Sequence, residues 1–91
     1  MKVLITGGTR GIGRRTVEAL SNNGEHSIFL GCRDMRVGLD IATQLGAAVT
    51  PVELDVTSIK SVGAAAKLMA DSGVQIDALI NNAGVLLERD G

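Results

Sequence analysis

Short apolar runs alternate with segments of helical periodicity along the whole chain. Runs of about five residues that are apolar almost throughout are typical of buried parallel strands. The sequence predicts four of them, at residues 3–5, 27–32, 49–54 and 76–80. Pro51 lies near the start of the third run and favours an edge position for it, because proline cannot donate a backbone hydrogen bond to a neighbouring strand.

Three helices are predicted between these strands, each with apolar residues spaced three or four apart. The first begins near residue 12, the second covers residues 36–45, and the third follows a predicted N-cap at Ser58. Each ends near a glycine, at position 24, 46 or 73. Their expected apolar faces are Ile12, Thr16, Val17 and Leu20; Leu39, Ile41, Ala42 and Leu45; and Ile59, Val62, Ala65, Ala66 and Met69.

The alternation predicts an α/β fold of the type βαβαβαβ. Strands joined through helices form a parallel sheet with right-handed crossovers. Residues 1–91 have no repeat, linker or low-complexity segment, and are expected to form one unit.

The strongest chemical signal is a glycine-rich loop between the first strand and the first helix. Its sequence is Thr6-Gly7-Gly8-Thr9-Arg10-Gly11-Ile12-Gly13. Gly7 allows a sharp turn, Gly11 lets the backbone approach a pyrophosphate, and Gly13 lets the helix pack near the strand. The helix N-terminus then offers N–H groups and partial positive charge to phosphates. A plain glycine-rich turn is the alternative, but the position between strand and helix favours a nucleotide site.

Three motifs together resemble the short-chain dehydrogenase/reductase family. The glycine spacing is similar to that of the family's cofactor loop in its compact single-domain branch. Leu54-Asp55-Val56-Thr57 resembles the family's adenine-contact segment, and Asn81-Asn82-Ala83-Gly84 resembles its Asn-Asn-Ala-Gly motif. The resemblance covers nearly the whole chain and implies a Rossmann-like fold. The cofactor-binding residues that it implies are Gly7, Thr9, Arg10, Gly11, Ile12, Gly13, Arg33, Asp55, Val56, Asn82, Ala83 and Gly84.

The choice of nucleotide depends on the end of the second strand. In proteins of this architecture that prefer NAD, an acidic residue there binds the ribose 2′-OH. Here Gly31 and Cys32 are followed by Arg33. In the resembled family, Arg33 and the loop residue Arg10 imply NADP, since a guanidinium group can bind a 2′-phosphate through two hydrogen bonds. We expect NADP(H), with NAD as the alternative.

Several of these residues also have a structural interpretation. Both arginines could be ordinary solvated charges, and Asp34 could pair with Arg33 or face the ribose. The resemblance assigns Asp55 to the adenine amino group, but a carboxylate after a strand is also typical of a cap. The resemblance places Asn82 against the ribose, whereas we interpret Asn81 as a structural residue that bonds to its neighbours.

Composition narrows the class of partner. Nine basic and ten acidic residues give a net charge of −1, which does not favour a nucleic-acid or membrane partner.

The single Cys32 cannot form an internal disulfide, and the first apolar run is too short for a signal peptide, so a cytoplasmic protein is expected. No cluster has metal-ligand spacing, so no metal site is expected. The single histidine, His26, is expected to be exposed in a loop.

The chain contains no tyrosine. Enzymes of the resembled family donate a proton from a tyrosine whose phenol pKa is lowered by a lysine four residues later. A Tyr-x-x-x-Lys pair cannot exist within these 91 residues. We therefore expect no catalytic residue in this chain and expect the chain alone to be inactive, with the catalytic residues beyond Gly91.

The leading interpretation is that residues 1–91 form the N-terminal cofactor-binding half of an NADP(H)-dependent oxidoreductase. The whole enzyme would move a hydride between the nicotinamide and a carbonyl or alcohol. A Rossmann-like sheet from this chain would have the incomplete order 3-2-1-4. The strand at residues 76–80 would then be an exposed edge that could pair with a missing C-terminal half or another chain. A non-catalytic nucleotide-binding or interaction module is the alternative.

Overall fold

A computed structural model describes residues 1–9 and 11–82 of the protein. Strands and helices alternate as the sequence predicts. The elements are β1 (Lys2–Thr6), α1 (Gly11–Asn23), β2 (Ser27–Cys32), α2 (Met35–Leu45), β3 (Val49–Glu53), α3 (Ile59–Asp71) and β4 (Ala78–Asn81). Within the described ranges, no helix is long and apolar enough to cross a membrane.

The four strands form one parallel sheet in the order β3-β2-β1-β4, which confirms the predicted topology. Leu4 in β1 lies opposite Phe29 in β2 and opposite Leu79 in β4. Pro51 lies opposite Leu30, in the edge strand β3, as its lack of an N–H group predicts. The long connections between β1, β2 and β3, and from β3 across to β4, each contain a helix.

β4 begins at Ala78 rather than at residue 76. Asp77 lies opposite Lys2, one residue before the pairing of β1 with β4 begins at Val3 and Ala78. Its backbone N–H donates to the Lys2 carbonyl oxygen at 2.8 Å, and its carboxylate accepts a hydrogen bond from the Lys2 N–H, also at 2.8 Å. The side chain therefore takes the place of a backbone acceptor, and regular strand pairing starts one residue later.

The two faces of the sheet are covered unequally. On the face under α1 and α2, the side chains of Ile5, Ile28, Leu30 and Val17 are completely buried. On the other face, α3 covers a smaller cluster of Val52, Leu54 and Ala65. Leu79 on this second face is 63% exposed, so α3 covers only the part of the sheet near β3.

The predicted apolar faces of the helices are wrong at five positions. On α1, the buried stripe passes through Gly13 and Val17, and Ile12 is 72% exposed. Gly13 carries no hydrophobic signal, yet it packs directly against the backbone of Gly7 and Gly8 and so sets the rotation of the helix. On α3, only Ala65 and Met69 are buried, because this helix covers little of the sheet. The predicted core residues that are exposed are Ile12, Leu39, Ile59, Val62 and Ala66.

Candidate functional site

The glycine loop turns the chain from β1 into α1. Gly7 and Gly11 have φ angles of +69° and +63°, in the left-handed region that residues with a side chain rarely adopt. A Cβ atom at Gly11 would meet no atom of the described chain within 4 Å. The loop therefore presents open space beside Gly11. Thr9 is half-buried next to it, and Arg10 lies outside the described residues.

Gly13 and Gly8 hold the loop against the start of α1. A Cβ atom at Gly13 would overlap the carbonyl oxygen of Gly7, and it would lie 2.9 Å from the carbonyl carbon. A Cβ atom at Gly8 would lie 2.7 Å from Leu30 Cδ1 and 2.9 Å from Val17 Cγ2. Gly8 was not predicted as important, although its position directly after the strand and above the core was a signal available in the sequence.

The N-terminus of α1 is suited to an anion. The helix begins at Gly11, and its first turn contains no acidic residue. The first N–H groups of a helix have no intrahelical partner, and they carry the positive end of the helix dipole. The open space at Gly11 lies beside these groups, so a phosphate group could approach them closely.

Two charged residues follow β2. Arg33 makes no ion pair among the described residues, and the carboxylate of Asp34 caps α2. Asp34 is the N-cap of α2, and its Oδ1 accepts a hydrogen bond from the Arg36 N–H at 2.9 Å. The Arg36 guanidinium lies 3.3 Å from Oδ2 of the same carboxylate. These contacts hold the pKa of Asp34 below its usual value, with the side-chain hydrogen bond from Arg36 as the largest cause. Asp34 thus pairs with Arg36 and not with Arg33, which is exposed and makes no ion pair among the described residues.

The end of β3 forms a turn around Asp55. Its Oδ1 accepts hydrogen bonds from the Thr57 hydroxyl at 2.6 Å and the Thr57 N–H at 2.9 Å. The same contacts lower the pKa of Asp55, and the positive charge of Arg33 lowers it further. Ser58 caps α3 by accepting from the Ser61 N–H. Asp55 therefore forms the turn after β3, and the charge of Arg33 lies close enough to lower the pKa of its carboxyl group. Val56 beside it is 39% exposed.

The end of β4 is bonded to the end of β1. The Thr6 hydroxyl donates to Asn81 Oδ1 at 2.8 Å, and the Asn82 N–H donates to the Thr6 carbonyl oxygen at 3.1 Å. Asn81 therefore ties the two strands together. Asn82 Nδ2 is buried and has no hydrogen-bond partner among the described residues. Buried polar nitrogens rarely lack a partner, so this one is a candidate donor to a ligand. Ala83 and Gly84 lie outside the described residues.

These groups share one edge of the sheet. The glycine loop, Arg33, Asp55 and Asn82 follow β1, β2, β3 and β4 respectively, and parallel strands end at the same edge. The strand order reverses between β1 and β4, because the chain moves outward in one direction from β1 to β3 and then crosses to the other side. In open α/β sheets, ligands bind at the carboxyl edge beside such a reversal.

Two residues with reactive side chains lie outside this arrangement. Cys32 is buried against Gly38 of α2, and burial raises the pKa of its thiol, which disfavours a nucleophilic thiolate. His26 was predicted to be exposed, and this is wrong. The residue is half-buried, and its Nδ1 atom is buried with no partner among the described residues.

The fold and the glycine loop define a class of α/β proteins that bind dinucleotides at the carboxyl edge of a parallel sheet. The family model for short chain dehydrogenases matches residues 1–91. The chain belongs to the short-chain dehydrogenase/reductase family, whose members bind nicotinamide cofactors.

The chain is similar to several proteins of known name. It is 33% identical over 92 residues to an NADP-dependent 3-hydroxy acid dehydrogenase of Schizosaccharomyces pombe, covering 97% of this chain and 36% of that protein. RhlG of Pseudomonas aeruginosa, solved in a complex with NADP, is 29% identical with a TM-score of 0.78, covering 89% of this chain and 33% of that one. A 3-ketoacyl-(acyl-carrier-protein) reductase from Brucella melitensis, complexed with NADH, is 25% identical with a TM-score of 0.72, covering 86% and 32%. The chain thus spans about a third of the length of each.

Proposed function

We propose that residues 1–91 form the cofactor-binding segment of an NADP(H)-dependent oxidoreductase. In the whole protein, a hydride would pass between the nicotinamide and a carbonyl or alcohol. The observation that carries the proposal is the open side of Gly11 beside the N-terminus of α1, whose first turn contains no acidic residue. This geometry offers backbone N–H groups to a pyrophosphate at the carboxyl edge of the sheet.

In this proposal the dinucleotide lies along that edge. The glycine loop would bind the pyrophosphate, with Thr9 and the backbone of Ile12 beside it. Asp55 and Val56 would lie against the adenine, and the buried Asn82 Nδ2 would donate to a ribose hydroxyl. When bound, the nicotinamide ring supplies the hydride donor or acceptor. Arg10, Ala83 and Gly84 are proposed to complete the site.

NADP is the proposed cofactor because the end of β2 presents a cation. Arg33 is exposed and unpaired among the described residues, whereas the neighbouring Asp34 carboxylate is engaged by its cap and by Arg36. The Schizosaccharomyces pombe relative is named as NADP-dependent, and RhlG was solved with NADP. The Brucella reductase was solved with NADH, so NAD is the alternative cofactor.

A binding or interaction module without catalysis is the second candidate function, since residues 1–91 contain no tyrosine. A chain without a Tyr-x-x-x-Lys pair could hold the dinucleotide as a binding or interaction module without catalysis. Oxidation of NADPH by the chain in the presence of a carbonyl compound would exclude this alternative.

A cytoplasmic location stays a prediction that cell fractionation would test.

Titration calorimetry tests the proposed function directly. We expect the chain to bind NADP⁺ more tightly than NAD⁺, because the 2′-phosphate adds a charge-assisted contact to Arg33. Tighter binding of NAD⁺ would reverse the cofactor assignment, and binding of neither dinucleotide would overturn the proposed function.

Two alanine variants with similar backbone strain show whether the glycine loop is the site. Gly11 and Gly24 have φ angles of +63° and +80°, and a Cβ atom at either would meet no atom of the described residues within 4 Å. Gly11→Ala and Gly24→Ala should therefore destabilise the fold to a similar extent. Only Gly11→Ala would place a methyl group in the proposed phosphate space. We expect it alone to weaken binding of both dinucleotides, and equal binding by the two variants would contradict this placement of the site.

We also propose that β4 pairs with a further strand, from a C-terminal half or a second copy of the chain. β4 is an edge of the described sheet, and Leu79 in it is 63% exposed. We expect light scattering to show self-association that increases with concentration, and Leu79→Glu to reduce it by placing a charge on the edge strand. Val37→Glu on α2, where the side chain is 42% exposed, is the control and should have no effect. A chain that stays monomeric at high concentration would contradict pairing with a second copy.

A further inference from the structure

The corner of the site around Arg33 carries several negative charges. Glu53 lies opposite Cys32 in the strand register, and Asp34 is the N-cap of α2 two residues after Cys32, so both residues lie near the end of β2. Arg33 itself acts on Asp55 at the end of β3. Asp34, Glu53 and Asp55 therefore lie at the ends of β2 and β3, where Arg33 would bind a 2′-phosphate. An uncompensated carboxylate at this corner would repel that phosphate and compete with it for Arg33.

Arg36 compensates the carboxylate nearest to Arg33 in sequence. Asp34 accepts from the Arg36 backbone N–H at 2.9 Å, from Nε at 3.4 Å and from a terminal guanidinium nitrogen at 3.3 Å. One residue thus supplies both the N-cap donor and the counter-ion. The Arg36 side chain is 92% exposed, so its place beside Asp34 is not imposed by burial.

We propose that Arg36 is a positioning residue of the dinucleotide site, which neutralises Asp34 and thereby leaves Arg33 available to the 2′-phosphate of NADP. The inference rests on the proposed function. Arg36 acts through Asp34 and does not touch the nucleotide. Without it, the Asp34 carboxylate would carry an uncompensated negative charge one residue from Arg33 and would be a candidate acceptor for ribose hydroxyls, which favours NAD.

A double-mutant cycle tests this mechanism. Arg36→Gln removes the counter-ion, and Asp34→Asn removes the charge that it compensates while keeping a good N-cap side chain. In the chain with Asp34, we expect Arg36→Gln to weaken NADP⁺ binding about two- to fivefold, the range for an exposed ion pair, and to leave NAD⁺ binding unchanged or tighter. In the Asp34→Asn background, the same substitution should have no measurable effect.

Two controls make the outcome specific. Lys67→Gln removes another exposed cation, which pairs with Asp71 on α3, and should not alter the NADP⁺ to NAD⁺ affinity ratio. Carboxyl NMR titration of Asp34 should show a higher pKa in Arg36→Gln than in the unsubstituted chain. This readout needs no nucleotide.

Each result decides a different point. An equal loss of NADP⁺ affinity in both backgrounds would mean that Arg36 contacts the phosphate directly, and it would overturn the inference. An unchanged ratio in Arg36→Gln, or an unchanged pKa of Asp34, would also overturn it while leaving the proposed function intact. Failure of the unsubstituted chain to bind either dinucleotide would overturn the proposed function itself, together with the inference that rests on it.

Discussion

Replacing Gly13 by alanine is expected to lower the free energy of unfolding by about 3 kcal/mol and to abolish dinucleotide binding. A Cβ atom at this position would overlap the carbonyl oxygen of Gly7 and lie 3.0 Å from the Cα atom of Gly8. These are backbone atoms, so no side-chain rotation relieves the overlap. The loop or the helix must move, and the N–H groups that would bind a phosphate move with them.

Gly63→Ala is the matched control for this prediction. Gly63 lies within α3, it is not among the glycines with positive φ, and a Cβ atom there would meet no atom within 4 Å in the part of the chain that the structure describes. Alanine at an exposed helical position should stabilise the fold by about 0.5–1 kcal/mol. Urea denaturation measures both effects, and titration with NADP⁺ measures the second consequence. A Gly13→Ala chain that unfolds at the same urea concentration as the unsubstituted chain would contradict the close packing of α1.

The alternation of elements could be predicted because each strand is short, apolar and followed by a turn signal. Buried parallel strands contact helices on both faces, so their sequences need no polar positions. The strand order also followed, since the glycine loop identifies the first strand of a sheet that reverses beside it. The start of β4 could not be predicted, because the hydrogen bond between Asp77 and Lys2 joins residues 75 positions apart.

The helix faces were harder to predict because side-chain hydrophobicity was the only signal used. Gly13 on α1 and Gly38 on α2 are buried at the closest contacts with the loop and the sheet, and they fix the rotation of both helices. Ile12 and Leu39, one residue away from these glycines, point away from the core and are exposed. Helical periodicity gave the right elements, but glycine packing decided which of their apolar residues are buried.

In the candidate site, short-range hydrogen bonds show which of the roles predicted for Asp34 and Asp55 their carboxylates have in the structure. α2 begins at Met35, one residue before the predicted start, and this makes Asp34 its N-cap. A difference of one residue in a helix boundary thus determines whether a carboxylate is available to a ribose. Asp55 could be predicted as both a turn former and a ligand contact, and the structure shows the first role through Thr57. Its Oδ1 atom makes both turn contacts, so the second role remains open to Oδ2.

Arg33→Ala is expected to weaken NADP⁺ binding about 10- to 100-fold and to leave NAD⁺ binding within about twofold. Hydrogen bonds to charged groups contribute about 1.5–3 kcal/mol, and only NADP⁺ carries the 2′-phosphate that would receive them. Among the described residues Arg33 has no ion-pair partner, and Asp55, on which its charge acts, keeps its two hydrogen bonds from Thr57, so removal of Arg33 should change stability little.

The control for Arg33→Ala is Lys67→Ala, which changes the net charge equally from the second half of α3. Because α3 begins beside the carboxyl edge and runs away from it, this charge lies far from the proposed phosphate. Calorimetric titration of both variants with both dinucleotides separates a contact from a general electrostatic effect. A loss of NADP⁺ affinity that is equal in the two variants would show that only the net charge matters. A parallel loss for NADP⁺ and NAD⁺ in Arg33→Ala would show that Arg33 does not distinguish the 2′-phosphate, and Arg10 would then be the other arginine proposed for that role.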